Sequence, residues 1–288
     1  MKVLIIGANG QLGVDLVNVF RAKEYDVITL NHEQVSVVNQ KLLAKLLTEM
    51  APNVVINTAA MHNVEDCEEK PEASFQVNGL GASNLSTICE EIGATLVHFS
   101  TDYIFDGRKK SSYIESDLPN PLNTYGVTKL AGEHYIQAIS KKYYVIRVSG
   151  LYGNSICRAK GLNFVDLMIK LSKEKEEIRV VDNEILTPTS THAIAQQVEH
   201  LVSNHGAYGI YHMTAQGACS WNRFAKQIFY LIKASVILKI ANPDEFPMKT
   251  LRPTYSVLEN RNLKEQKLDI MPTWEECLRV YVEGKNII

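Results

Sequence analysis

The sequence predicts an α/β fold: a doubly wound parallel sheet followed by a smaller, mixed C-terminal lobe. Two observations carry this. Through residues 1–150, short continuous apolar runs alternate with stretches of helical period. Strands buried on both faces read as such runs, and pairing them in parallel requires helical crossovers. The second observation is glycine at positions 7, 10 and 13, where the first apolar run ends and the first helical pattern opens. That context makes the arrangement Rossmann-type.

The elements follow in order. KVLIIG (2–7) is the first strand, and the helix after it carries Leu12, Leu16, Val19 and Phe20 on one period. DVITLN (26–31) is the second strand, and NQKLLAKLLTEMAP (39–52) a helix that Pro52 closes. NVVINTAA (53–60) is the third strand; a helix over about 71–92 leads to ATLVHFST (94–101), the fourth. A helix containing Tyr125 precedes YYVIRVSG (143–150), the fifth. After residue 150 the rhythm loosens. LNFVDLMIKLSKEKE reads as a helix, and IRVVDNEILTPTST as a strand and a Pro-bearing turn before a helix from about Thr191. CSWNRFAKQIFYLIKA and TWEECLRVYVEG give two further helices. The expected division is a NAD(P)-binding domain over 1–150 and a mainly substrate-binding lobe over 151–288. Segments near 178–203 are expected to return to the first domain.

The 288 residues are 45% hydrophobic and 22% charged, an ordinary globular balance. Thirty basic residues against 32 acidic ones leave no basic surface for nucleic acid and no polybasic membrane patch. Cys67, Cys89, Cys157, Cys219 and Cys277 are scattered, with no C-x-x-C spacing. That pattern implies free thiols in a reducing cytoplasm and argues against a structural zinc, and no metal is expected. No apolar stretch approaches the ~20 residues of a membrane span, and a cytoplasmic location is expected.

The candidate chemistry lies where strands end, as parallel sheets require. In GANGQLG, Gly7, Asn9, Gly10, Gln11, Leu12 and Gly13 form a turn whose backbone can approach a pyrophosphate at a helix N-terminus. Asn31 ends the second strand, and Ala59 and Ala60 end the third. A carboxylate in place of Asn31 would select NAD, and an arginine beside it would grip a 2′-phosphate. The sequence shows neither there, so NADPH is expected with slight preference and NADH as the alternative. Ser100, Thr101 and Tyr103 follow the fourth strand and face the nicotinamide crevice; a hydroxyl capping a turn is the plainer role.

Tyr125 and Lys129 stand at i and i+4 on one helix face. Such a pair is common by chance, but here it joins the glycine turn and the hydroxyl after strand four. A phenol titrates near 10, and an adjacent ammonium stabilises its phenolate. Tyr125 is thus the candidate proton donor to a carbonyl, Thr101 the oxyanion partner, and Lys129 the holder of the nicotinamide ribose.

With these residues in place, the chain resembles the dTDP-4-dehydrorhamnose reductases, a branch of the extended short-chain dehydrogenase/reductases. The similarity runs nearly end to end, through GANGQLG, NVVINTAA, STDYIFDG, NTYGVTKLAGE, LNFV, TPTST, CSWNRFA, RPTYSVL and TWEECL. The resemblance implies reduction of the C4 ketone of a nucleotide-activated 4-keto-6-deoxy sugar by a monomer or homodimer. It makes Thr101, Tyr125 and Lys129 the catalytic trio. It places Thr101, Asp102, Tyr103, Gly150, Asn163 and Arg252 toward the sugar nucleotide. Gly150 stands where the family carries a tryptophan, which implies a void of indole size or a loop with Ile156 and Cys157 folding in. Asp15 matches an acidic position that binds an intersubunit metal in some members; here it is expected to be a solvated helix carboxylate. Two other readings stay open: an epimerase or dehydratase of the same superfamily, and a non-catalytic NADP-binding subunit like that of methionine adenosyltransferase.

Overall fold

The computed structural model describes residues 1–155, 161–242, 245 and 250–285. Along the chain come β1 (Lys2–Ile6), α1 (Gln11–Ala22), β2 (Asp26–Leu30), α2 (Gln40–Met50) and β3 (Val54–Asn57). Three helical segments follow, α3 (Val64–Glu69), α4 (Pro71–Phe75) and α5 (Gly81–Ile92), with a π turn over Gln76–Leu80. Then come β4 (Thr95–Thr101), α6 (Thr124–Ile139), β5 (Tyr143–Val148), β6 (Leu151–Tyr152) and α7 (Phe164–Glu174). The remainder is β7 (Glu177–Val180), β8 (Ile185–Leu186), β9 (Thr189–Ser190), α8 (Thr191–Ser203), β10 (Gly209–His212), β11 (Cys219–Ser220), α9 (Trp221–Leu231), β12 (Ile237–Ile240), α10 (Arg261–Glu265) and α11 (Trp274–Gly284).

The central sheet is parallel throughout, in the order β2-β1-β3-β4-β5-β10. Side chains alternate across it, as the period of two demands. Val3, Ile5, Val54, Ile56, Val97 and Ile146 enter one core; Leu4, Ile6, Val55, Leu96 and Val145 enter the other. Helices α1 and α8 pack together on the first face. The second face is covered by α2, α5 and α6, through Leu43, Leu47, Leu85 and Ile136. The core of the first face continues without a break into Phe224, Trp274 and Leu278 of the C-terminal segments.

The chain turns from β1 to β2 on one side and to β3 on the other. This reversal opens a crevice at the carboxyl ends of β1 and β3, where such folds bind ligands. The path after residue 150 differs in detail from expectation. β7 leaves the main sheet to pair with β12, and α8 lies on α1. β10 then adds a sixth main strand that the sequence did not announce, because GIYH is too short a run to stand out. The helix expected over 71–92 is interrupted by the π turn, a feature that often marks functional sites.

Candidate active site

The glycine turn is built by close approach. Gly7 has φ +77°, in the left-handed region, and its N–H donates to Leu30 O at 2.8 Å. A Cβ on Gly7 would meet Thr58 Oγ1 at 2.5 Å, and one on Gly13 would meet Gly7 O at 2.2 Å. Helix α1 starts at this turn with no side-chain cap and no acidic residue in its first turn, so its leading N–H groups are open to an anion. The Gln11 amide donates to Gly153 O (3.1 Å) and Ser155 O (2.9 Å), tying the turn to the segment after β6.

Beside it lies a recess of about 210 Å³, lined among others by Asn9, Asn18, Arg21, Asn31 and Gln34. Asn31 Oδ1 accepts from the N–H groups of Glu33 (3.0 Å) and Gln34 (3.2 Å), so it shapes the turn after β2. The sequence reading found no arginine near this point. The fold supplies Arg21, from the last turn of α1.

The second half of the site is carried by β4 and α6. Asn123 caps α6, accepting from Gly126 N at 2.9 Å and donating to Leu251 O at 2.9 Å. Glu68 of α3 accepts from the Thr124 N–H (2.6 Å) and hydroxyl (2.9 Å). Gly126 lets the helix lie on the turn after β4: a Cβ there would sit 2.3 Å from Tyr103 O. These contacts bring Tyr125 to Thr101, so that the two hydroxyls are neighbours. Thr101 also accepts from Tyr103 N at 3.1 Å, and the Tyr103 ring meets the Tyr125 ring edge-on at 5.9 Å. Lys129 is buried one turn further along.

The electrostatics differ from the simple picture of a phenol beside an ammonium. Burial pushes the Tyr125 phenol up, and the neighbouring Thr101 hydroxyl draws it down. Burial draws Lys129 down to about 8, against the opposing pull of Glu133. Lys129 Nζ lies 3.2 Å from His98 Nε2.

Several expected contacts are replaced. Asp102 is buried; its carboxylate accepts from Thr101 Oγ1 (3.1 Å) and Ser149 Oγ (2.8 Å) and bonds Ser256, so it faces the protein interior rather than a sugar. Asn163 caps α7, and its amide donates to Gly153 O, Asp166 and the Tyr281 hydroxyl, a set of bonds internal to the lobe. The void at Gly150 is absent. Gly150 has φ +57°, and a Cβ would meet Leu186 Cδ1 at 2.9 Å and Pro188 Cα at 3.0 Å, so the 186–188 segment occupies the space. Ile156 and Cys157 lie outside the described residues. Asp15 is buried rather than solvated and accepts from the Thr191 hydroxyl. Arg252 pairs with Glu65 of α3, while its buried Nε has no protein partner among the described residues.

Other residues of this site were missed. His98, Asn57, Asn78 and Cys67 all lie close behind α6. The signal available was a polar residue inside an otherwise apolar buried strand, as in NVVINTAA and ATLVHFST. Asn123 was legible as a helix cap in NTYGVTK. A recess of about 500 Å³ against α6, lined by Glu68, Phe75, Pro121, Asn123 and Val127, includes none of Thr101, Tyr125 and Lys129.

The residues present fit a dinucleotide. The cradle at Gly7 and Gly13 is one that any Cβ would fill, and the buried Ser100 hydroxyl beside Thr101 has no protein partner among the described residues. Fold and site together define an extended short-chain dehydrogenase/reductase. More narrowly, the chain belongs to the RmlD substrate binding domain family, whose model matches residues 1–286. It is 36% identical over 286 residues to the spore coat polysaccharide biosynthesis protein SpsK of Bacillus subtilis, covering 99% of this chain and 98% of that one. Among solved structures, a dTDP-4-dehydrorhamnose reductase from Clostridium acetobutylicum is 39% identical with a TM-score of 0.94, covering 99% of this chain and all of that one. Another dTDP-4-dehydrorhamnose reductase, from Bacillus anthracis in complex with NADP, is 35% identical with a TM-score of 0.93, covering 98% of this chain and 99% of that one.

Proposed function

We propose that this chain is an NADPH-dependent reductase of the C4 ketone of a nucleotide-activated 4-keto-6-deoxy sugar, converting dTDP-4-dehydrorhamnose to dTDP-L-rhamnose. The observation that carries the reading is Thr101 at the end of β4 facing Tyr125 of α6, with Lys129 one helix turn further on, in the same parallel sheet whose first strand ends at the Gly7 turn, in a chain of this family. The sheet of residues 1–150, extended by α8 and β10, holds the cofactor. The remaining C-terminal segments bind the sugar nucleotide.

When bound, the reduced nicotinamide supplies the hydride that adds to C4. The uncapped start of α1 and the glycine backbone bind the pyrophosphate. Thr101 hydrogen-bonds the C4 oxygen as charge develops on it. Tyr125 donates its phenolic proton to that oxygen, so hydride and proton together convert the ketone to the alcohol. Lys129 holds the ribose and, when charged, stabilises the phenolate left behind. Tyr103 and Arg252 line the sugar-nucleotide side; the free Arg252 Nε suits an anionic diphosphate. Asp102, turned into the protein, is not placed for the acid–base role a dehydratase would need.

The test is Tyr125→Phe. The variant is expected to bind NADPH normally and lose ~10² or more in kcat, because only the proton donor is removed. Near-normal turnover would refute the assignment.

A further inference from the structure

We propose that His98 is a positioning residue for Lys129: Asn57 locks the imidazole with its proton on Nε2, and that N–H faces the lysine and favours its neutral amine until a cofactor binds. The argument is a chain of hydrogen bonds, each with a fixed direction. The Ala59 N–H donates to Asn57 Oδ1 at 3.0 Å. A backbone N–H can only donate, so this bond settles which end of the Asn57 amide is oxygen. The other end, Nδ2, lies 3.0 Å from His98 Nδ1. An amide NH₂ likewise only donates, so Nδ1 must accept and carries no proton.

His98 is fully buried, and burial, the larger cause, holds its imidazole well below the usual range. The ring is therefore neutral and has one proton, which must sit on Nε2. That nitrogen is the one 3.2 Å from Lys129 Nζ. An N–H bonds a lysine nitrogen only through a lone pair, and an ammonium has none. Reversing Asn57 would aim its NH₂ at the Ala59 N–H and leave a donor unmatched, at ~1–3 kcal/mol.

The groups facing Lys129 agree. Glu133, on the same helix, is already committed to Arg147 at 2.7 Å. Cys67, from α3, is pushed up by burial and stays a neutral thiol. Tyr125, on α6, is a neutral phenol for the same reason. His98, from β4, presents a donor. None of these gives a buried ammonium its own counter-anion. Resting on the cofactor role proposed above, the ribose hydroxyls and the anionic dinucleotide supply the acceptors that let Lys129 take up a proton. The charge that stabilises a Tyr125 phenolate is then more fully present in the loaded enzyme than before loading.

Two measurements test this. The first is a long-range ¹H–¹⁵N spectrum of the ligand-free, histidine-labelled protein. His98 is assigned by its loss in His98→Gln or, should that variant not fold, through its own backbone resonances. The proposal expects a bare Nδ1 and a protonated Nε2; a protonated Nδ1 overturns it. The second is calorimetry of NADPH binding near pH 8 in buffers of different ionisation enthalpy. Wild type is expected to take up a proton that Lys129→Met does not; equal uptake in the two overturns the proposal. If NADPH fails to bind at all, the cofactor reading falls, and the tautomer spectrum still decides the role of His98.

Discussion

Arg21 shows what a single residue contributes once the chain is folded. It lines the recess with Asn9 and Asn31, where the turn after β2 meets the glycine loop. A guanidinium there suits a 2′-phosphate, although its exposure to solvent weakens the bond. Arg21→Ala is expected to raise the Kd for NADPH about tenfold, ~1.4 kcal/mol, and leave that for NADH unchanged. Titrating both cofactors by fluorescence checks this, and a parallel loss for both would remove Arg21 from the phosphate role. The sequence could not show this placement, because Arg21 comes to the recess lined by Asn31 through the fold and not through a motif. The same cause hid His98 behind Lys129 and the packing of residues 186–188 against Gly150. The placement of Gly7 and Thr101 at strand ends and of Tyr125 and Lys129 on one helix was legible because each sits in a short motif of matching spacing.

Helix α6 is the element that aligns the site. Its cap Asn123, its bond to Glu68 and its close approach at Gly126 fix where Tyr125 points. At Gly126 the obstacle is the Tyr103 carbonyl, a backbone atom that cannot swing aside. Gly126→Ala therefore forces α6 away from the turn after β4. The reacting groups must stay near contact distance, and a misplacement of about 1 Å can cost ~10² in rate. The expected outcome is a fall in kcat of about that size with the fold retained, read from steady-state kinetics and circular dichroism. Unchanged kcat would mean that the helix does not set the geometry. Element existence was mostly readable, since apolar runs and helical periods are local signals. The π turn and β10 were not, because each is stabilised by tertiary partners: Asn78 bonds Thr128 across to α6, and β10 pairs with β5.

At the scale of the whole molecule, one unbroken core joins the sheet to the C-terminal segments, and burial of charge becomes a term in overall stability. Lys129 titrates at about 8 when folded, against ~10.4 for an ordinary lysine. Between those values the unfolded chain holds the proton and the folded chain does not, so the lysine's contribution to stability rises with pH through that window. Denaturant unfolding at pH 8 and pH 10 is expected to show wild type gaining stability relative to Lys129→Met. No gain, or a loss, would mean that the amine is not buried at such a cost. Among the described residues no helix is long and apolar enough to cross a membrane. The family and the site converge on one reaction, and the most direct measurement is that reaction. Purified protein is mixed with NADPH and dTDP-4-dehydrorhamnose; cofactor absorbance is followed and the sugar product identified by NMR. The account predicts one NADPH oxidised for each dTDP-L-rhamnose formed, a turnover that Tyr125→Phe nearly abolishes. Tight NADPH binding without oxidation, across a panel of nucleotide 4-keto-6-deoxy sugars, would contradict it and identify a binding module instead.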